Sequence, residues 1–268
     1  MRRALILLAL LMAPSAHAAS KVASAGLCAD QVVLPLVERD RVAGVSFQAT
    51  DTTVSLVADQ AKGLPVVAPS AEALILAGAD TVVLNTFGDG KTKALLEKLG
   101  VTVLRVPYDA RLAGIPQSLR HLGKDMGAAA RAEALATNFE SRMDRLRAAR
   151  PGTSVLAAYY RPDGGSAGLE TYVAESMQAA GYRSLASHLG IKGWRRLELE
   201  DLILNPPDAF VTSFFERDEN AVRRSFGRHP VLRRMLATAP VVQVPGRMWG
   251  CGGWPVAVAA EHMAERRP

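Results

Sequence analysis

The residues best suited to chemistry in this chain are two matched glutamates and a set of aromatics and arginines gathered near loops. Glu72 to Asp80 reads EALILAGAD, and Glu200 to Asp208 reads EDLILNPPD. Both fit E-x-L-I-L-x-x-x-D, with the same offset at each end (200 − 72 = 128 and 208 − 80 = 128). Each copy runs into an apolar stretch, TVVL from Thr81 and AFVT from Ala209. A repeat this far apart suggests two similar halves, each with a helix, a tight turn and a buried strand, and it puts a glutamate at the same place near the start of each helix. The blander reading is a glutamate in the first turn of a helix, favoured by the helix dipole.

A second group suits binding. Only 6% of the 268 residues are aromatic, yet many fall where loops should follow strands. From the first half these loops offer Phe47, Gln48, Thr86, Phe87, Lys91, Tyr108 and Arg111. From the second they offer Tyr160, Arg161, Tyr172, Phe214, Phe215, Arg247, Trp249 and Trp254. The expected ligand-binding set is Phe47, Tyr108, Tyr160, Arg161, Tyr172, Phe215, Arg247 and Trp249. Aromatic walls suit a large flat or chelated ligand, and arginines suit its carboxylates or phosphates. The alternative is ordinary packing at loop–helix junctions.

Catalysis finds little support. Gly164-Gly165-Ser166-Ala167-Gly168 matches G-x-S-x-G in letters. A nucleophile elbow needs the serine directly after a strand, and here the strand ends at Tyr160 with Pro162-Asp163 intervening. Phosphate-loop and dinucleotide fingerprints do not occur. His121, His188, His229 and His262 lie scattered, without metal-ligand spacing. No catalytic residue, resident metal or cofactor is expected.

These residues must be positioned by a framework, and composition indicates a globular one: 49% apolar and 22% charged. Residues 1–19 read as a secretory signal peptide: Arg2-Arg3, an apolar run to Ala13, then Ala16-His17-Ala18. Cys28 follows Leu27 too far on for lipid anchoring, so a soluble, periplasmic protein is expected. Net charge is +6, of which the signal peptide supplies two. No basic run interleaved with aromatics points to nucleic acid.

Short β-branched runs alternate with helical patterns, which favours parallel sheets with crossover helices. Expected strands are Lys21 to Ala25, Val42 to Ser46, Pro65 to Ala68, Thr81 to Asn85, Val101 to Pro107, Ser154 to Tyr160, Ala209 to Ser213 and Val241 to Val244. Expected helices include Asp30 to Glu38, a stretch near Thr53 to Gln60, Lys91 to Leu99, Tyr172 to Ala180, Glu219 to Ser225, Pro230 to Ala237 and Pro255 to Glu265. Ser70 is positioned to cap the first repeat helix. Loop is expected from Ala180 to Trp194. Ala128 to Ala149 lacks Gly and Pro and is rich in strong helix formers. The reading is α/β, with two Rossmann-like lobes (20–127 and 150–268) joined by one long helix (128–149), and the ligand cleft between them. Cys28 and Cys251 sit in the first and last strand-following loops. Export permits a disulfide, but sequence leaves a bridge and two free thiols equally open.

The chain resembles the substrate-binding proteins of ABC importers for ferric siderophores, haem and cobalamin. The resemblance rests on the opening KVASAGLCADQVVLPLVERDRVAGVS, on the two repeats with Pro207-Asp208 (Ala79-Asp80 departs mildly), on the long helix, and on Trp249-Gly250-Cys251-Gly252 before the last helix. It implies a monomeric periplasmic protein that captures a metal chelate or corrinoid and delivers it to the importer's transmembrane subunits. It also implies that Glu72 and Glu200 meet arginines on that permease. The rival is an exported ligand-sensing or chelate-carrier protein not coupled to a permease.

Overall fold

The computed structural model describes residues 20–214 and 229–268. The expected signal peptide, Phe215 and the helix expected from Glu219 lie outside those residues. Two four-stranded parallel sheets organise the rest. The first has the order β2 (Val42–Gly44), β1 (Val22–Ala25), β3 (Thr81–Leu84), β4 (Thr102–Arg105). The second has the order β10 (Val241–Val244), β9 (Ala209–Ser213), β5 (Val155–Tyr160), β7 (Tyr182–Ser184). A short antiparallel pair, β6 (Gly165–Ala167) with β8 (Trp194–Arg196), lies beside the second sheet.

The central strands β1, β3 and β9 are buried throughout, as parallel strands covered on both faces must be. Side-chain alternation divides each sheet between two apolar cores. Val22 and Val83 face one core of the first sheet while Ala23, Val82 and Leu84 face the other. In the second sheet Tyr159 and Val211 face one way, and Tyr160 and Phe210 face the other.

Helices α1 (Leu27–Leu36), α2 (Ala58–Ala61), α3 (Ala71–Leu76), α4 (Gly90–Lys98) and α5 (Gly114–Asp125) belong to the first half. The long helix α6 (Ala129–Ala148) follows. The second half carries α7 (Tyr172–Ala179), α8 (Leu185–His188), α9 (Leu199–Leu204), α10 (Pro230–Thr238), α11 (Gly246–Trp249) and α12 (Pro255–Glu265). Helix α6 contributes Ala132 to a core of the first sheet, and Ala136, Phe139 and Met143 to one of the second. It is joined to α12 by an Arg142–Glu261 ion pair.

The sequence repeat is a structural repeat. Asp80 Oδ2 accepts the Lys21 amide and Asp208 Oδ2 accepts the Leu156 amide, each at 2.9 Å. Both aspartates also donate their own amides to the carbonyls of those same residues. Each therefore fastens the start of a central strand to its neighbour. The helix before each is capped differently: Ser70 Oγ accepts the Ala73 amide at 3.2 Å, whereas Glu198 and Asp201 form a reciprocal capping box.

Three expectations change. The strand at Pro65 to Ala68 reduces to an isolated bridge between Val45 and Val66, because Pro65 and Pro69 remove ladder donors on either side. The helical stretch near Thr53 shortens to α2, because Asp51 Oδ1 accepts both the amide and the hydroxyl of Thr53 and holds a turn there. Strand β7 and helix α8 occupy the region read as loop. Among the described residues no helix is long and apolar enough to cross a membrane.

Candidate ligand site between the two sheets

Most of the candidate loops leave the carboxyl ends of parallel strands, where ligands of open α/β sheets bind; Tyr172 instead follows β6 of the antiparallel pair. Cys28 follows β1, Phe47 β2, Phe87 β3 and Tyr108 β4; Arg161 follows β5, Phe214 β9 and Arg247 β10. The first of these loops is set by Asn85, whose Oδ1 accepts the amides of Cys28 (3.0 Å) and Ala29 (3.3 Å) at the start of α1. Gly26 makes room for it. Its φ is 137°, and a Cβ there would lie 2.1 Å from the Asn85 amide nitrogen. This cap from a neighbouring loop explains why α1 begins at Leu27 rather than at Asp30.

A line of rings crosses from the first sheet's loops to the second's. Phe87 and Tyr108 lie 5.7 Å apart. The Tyr108 hydroxyl accepts the Trp194 indole N–H at 2.6 Å. Trp194 meets Tyr172 edge-on at 5.5 Å, and the Tyr172 hydroxyl donates to the Trp249 carbonyl at 3.1 Å. Trp249 stands edge-on to Tyr159 at 5.0 Å. Exposure falls along the line: 71% for Phe87, 49% for Tyr108 and 38% for Trp194, then 7% for Tyr172 and 1% for Trp249. The first three rings offer exposed surface, and Tyr172 and Trp249 support them from the core; Phe47, in the loop after β2, is 69% exposed. Tyr160, expected at the cleft, faces the opposite core with Leu202, Phe210 and Leu232. Burial pushes its hydroxyl up to about 12. Burial raises Tyr172 as well, because a low-dielectric setting disfavours the phenolate.

The expected arginines are in partnerships. The Arg161 guanidinium lies 5.3 Å from the Phe214 ring centre, with its Nε 3.8 Å from Asp163 Oδ1. Arg247 Nη1 donates to the Thr52 carbonyl at 2.9 Å, across the two halves. Arg111 pairs with Glu175 at 2.6 Å, and Glu175 also accepts the Leu112 amide at 2.9 Å. Beside them a cavity of about 760 Å³ runs along the edge of the second sheet, lined by Arg147, Arg150, Arg183, Glu170 and Lys192. It has charged walls and none of the exposed aromatic rings, so it is distinct in chemistry from the ring-lined cleft.

Further contacts join the halves. Cys28 and Cys251 form a disulfide with Cα atoms 5.2 Å apart. Trp254 Nε1 donates to the Gln31 carbonyl at 2.7 Å. Asp30, beneath the first loop, is fully buried and accepts from Ser24 Oγ, Ser46 Oγ (2.5 Å) and the Ser46 amide (3.0 Å). Burial raises its pKa despite these donors. Ser166 of the G-x-S-x-G letters is buried in β6 and donates to the Tyr159 carbonyl at 2.7 Å; it is not at a strand-to-helix elbow. Among the described residues no group of three or more His, Cys, Asp or Glu side chains could hold a metal ion.

Residues 22–240 match the sequence family described as periplasmic binding protein. The chain belongs to that family. Curated relatives of this binding protein include a cobalamin-binding protein of Halobacterium salinarum, 24% identical over 188 residues, which covers 69% of this chain and 51% of the relative. The chain thus spans about half the length of the curated relatives it matches. Similar solved structures include the periplasmic haem-binding protein HutB of Vibrio cholerae (19% identity, 92% of this chain and 98% of that one, TM-score 0.74). The apo periplasmic haem-binding protein RhuT of Roseiflexus sp. RS-1 is another (20% identity, 93% and 99%, TM-score 0.70). At these identities the likeness establishes the two-lobed α/β fold.

Two features of the binding protein escaped the sequence reading. Trp194 was not singled out, because β6 and β8 are too far apart in sequence to show a hairpin signal. Its only mark is a tryptophan directly after Gly193. The coupling of Asn85 to Gly26 likewise joins residues with no local pattern in common.

Proposed function

We propose that this binding protein captures a bulky metal chelate or corrinoid between its lobes in the periplasm and, as a monomer, delivers it to an ABC importer. The observation that carries the reading is the exposed ring surface formed by Phe87 and Tyr108, in the loops after β3 and β4, with Trp194, which starts β8 and donates to Tyr108. A flat macrocycle matches it, since aromatic faces reward large planar apolar surface. The cobalamin- and haem-binding relatives support the same ligand class. Of the residues expected at the ligand, the reading assigns direct contact to Phe47 and Tyr108, which are exposed, and polar contact to Arg161 and Arg247. Glu72 and Glu200, both exposed, are the permease-docking charges.

A thermal-shift comparison of cobalamins, haemin and ferric siderophores tests the ligand class. A ligand at 100 times its Kd adds about 2.7 kcal/mol of stability, which raises the melting temperature by several degrees. Failure of all three classes to shift it would overturn the reading. Reversing both charges, Glu72→Lys with Glu200→Lys, is expected to abolish transport while leaving ligand affinity unchanged.

A further inference from the structure

The two repeat helices carry more than a glutamate each. In α3, Glu72, Ile75 and Leu76 are exposed, and in α9, Glu200, Ile203 and Leu204 are exposed. The spacing is i, i+3, i+4 in both, which puts the three side chains on one helix face. Leu76 is 89% exposed and Leu204 79%, and the two sit at the same 128-residue offset as the glutamates (204 − 76 = 128). The remaining leucine of each copy, Leu74 or Leu202, is buried and anchors the helix to its own lobe. One outward leucine is ordinary surface. Two of them, each one helical turn from an exposed carboxylate and placed by equivalent capped helices, form a repeated patch of fixed composition.

We infer that Ile75-Leu76 and Ile203-Leu204 are a matched pair of apolar anchors that seat in two equivalent recesses of the importer's membrane-spanning subunits, each recess flanked by a cation that meets Glu72 or Glu200. The inference rests on the docking role proposed above. A partner built from two like subunits presents one such recess on each, which fits two like patches on one chain. The glutamates steer the encounter, and the leucines, desolvated on contact, set the residence time.

Placing a photoreactive benzophenone amino acid at position 76 or 204, in the native host, tests it. The control is position 99, whose leucine is 58% exposed but lies outside the repeats. Both repeat positions are expected to cross-link to a transmembrane importer subunit identified by mass spectrometry, and position 99 is not. Leu76→Ser with Leu204→Ser is expected to lower transport at limiting protein at least tenfold, with ligand affinity within twofold of wild type. Cross-links only to lipid or to a second copy of this chain overturn the inference, as does unchanged transport by the serine variant. If benzophenone at 72 or 200 captures a membrane subunit while 76 and 204 do not, the anchors fail and the docking reading stands. If none of the four positions does, both fail.

Discussion

Trp194 is the residue on which the proposed binding surface turns. It links the two halves by its hydrogen bond to Tyr108, and it remains partly open to solvent. Trp194→Ala is expected to weaken binding of the ligand that scores in the thermal screen by about three- to tenfold, the scale of one aromatic contact of roughly 0.5–1.5 kcal/mol. Titration of intrinsic fluorescence reads this directly. Tyr108→Phe removes only the acceptor and should give a smaller loss. Asp30 makes a different prediction. Its carboxyl holds a proton in the folded protein to higher pH than in the unfolded chain. The stability this provides is therefore complete below the unfolded value and declines as pH rises through the raised folded one. Asp30→Asn keeps a donor for Ser46 and an acceptor for Ser24, so it should flatten that pH dependence in denaturant melts, whereas Asp30→Ala leaves hydroxyls without partners and costs about 1–3 kcal/mol. Which residues would be aromatic or charged near the cleft was legible from loop position. Which ones are exposed and which lie in the core was not. Tyr159 and Tyr160 are neighbours with the same chemistry, and only strand register decides that they point to opposite cores.

Strands and helices were easier to read where they are long or repeated. Helix α6 (Ala129–Ala148) falls within one residue of its expected span at each end, since helix propensity summed over so long an uninterrupted run is informative. The two E-x-L-I-L-x-x-x-D copies gave equivalent helix–strand units because each aspartate performs the same strand-fastening task. Strand β7 was missed because three residues, Tyr182-Arg183-Ser184, carry no periodic signal; their pairing with β5 creates the strand. The long helix also bears a testable contact. Arg142 and Glu261 are largely shielded, and the arginine holds the glutamate's pKa below its ordinary value. The contribution is present above the unfolded value and is lost as pH falls through the lowered one. Glu261→Gln should destabilise by about 1–2 kcal/mol near neutral pH, between the values for exposed and buried pairs. It should make no difference in strong acid; urea unfolding at the two pH values checks both.

At the level of the whole molecule, the halves are tied at several places. They include the Cys28–Cys251 disulfide, Arg247 to Thr52, Trp254 to Gln31, Trp194 to Tyr108, Arg111 and the Leu112 amide to Glu175, and α6 itself. Reducing the disulfide, or replacing both cysteines with serine, is expected to lower stability by about 2–4 kcal/mol, as is typical for a bridge. Unfolding in guanidinium with and without reductant measures it. Two cysteines at distant ends of a sequence do not announce a partner. Here the meeting is arranged by topology, since β1 and β10 both deliver their following loops to the same cleft. The same bridge has a consequence for durability. Cys28 and Cys251 are 223 residues apart in sequence, so nearly all of both lobes and the helix between them lie inside one covalent ring. A protease that cuts any single loop within that ring opens it without releasing a fragment, and the pieces would part on a gel only after reduction.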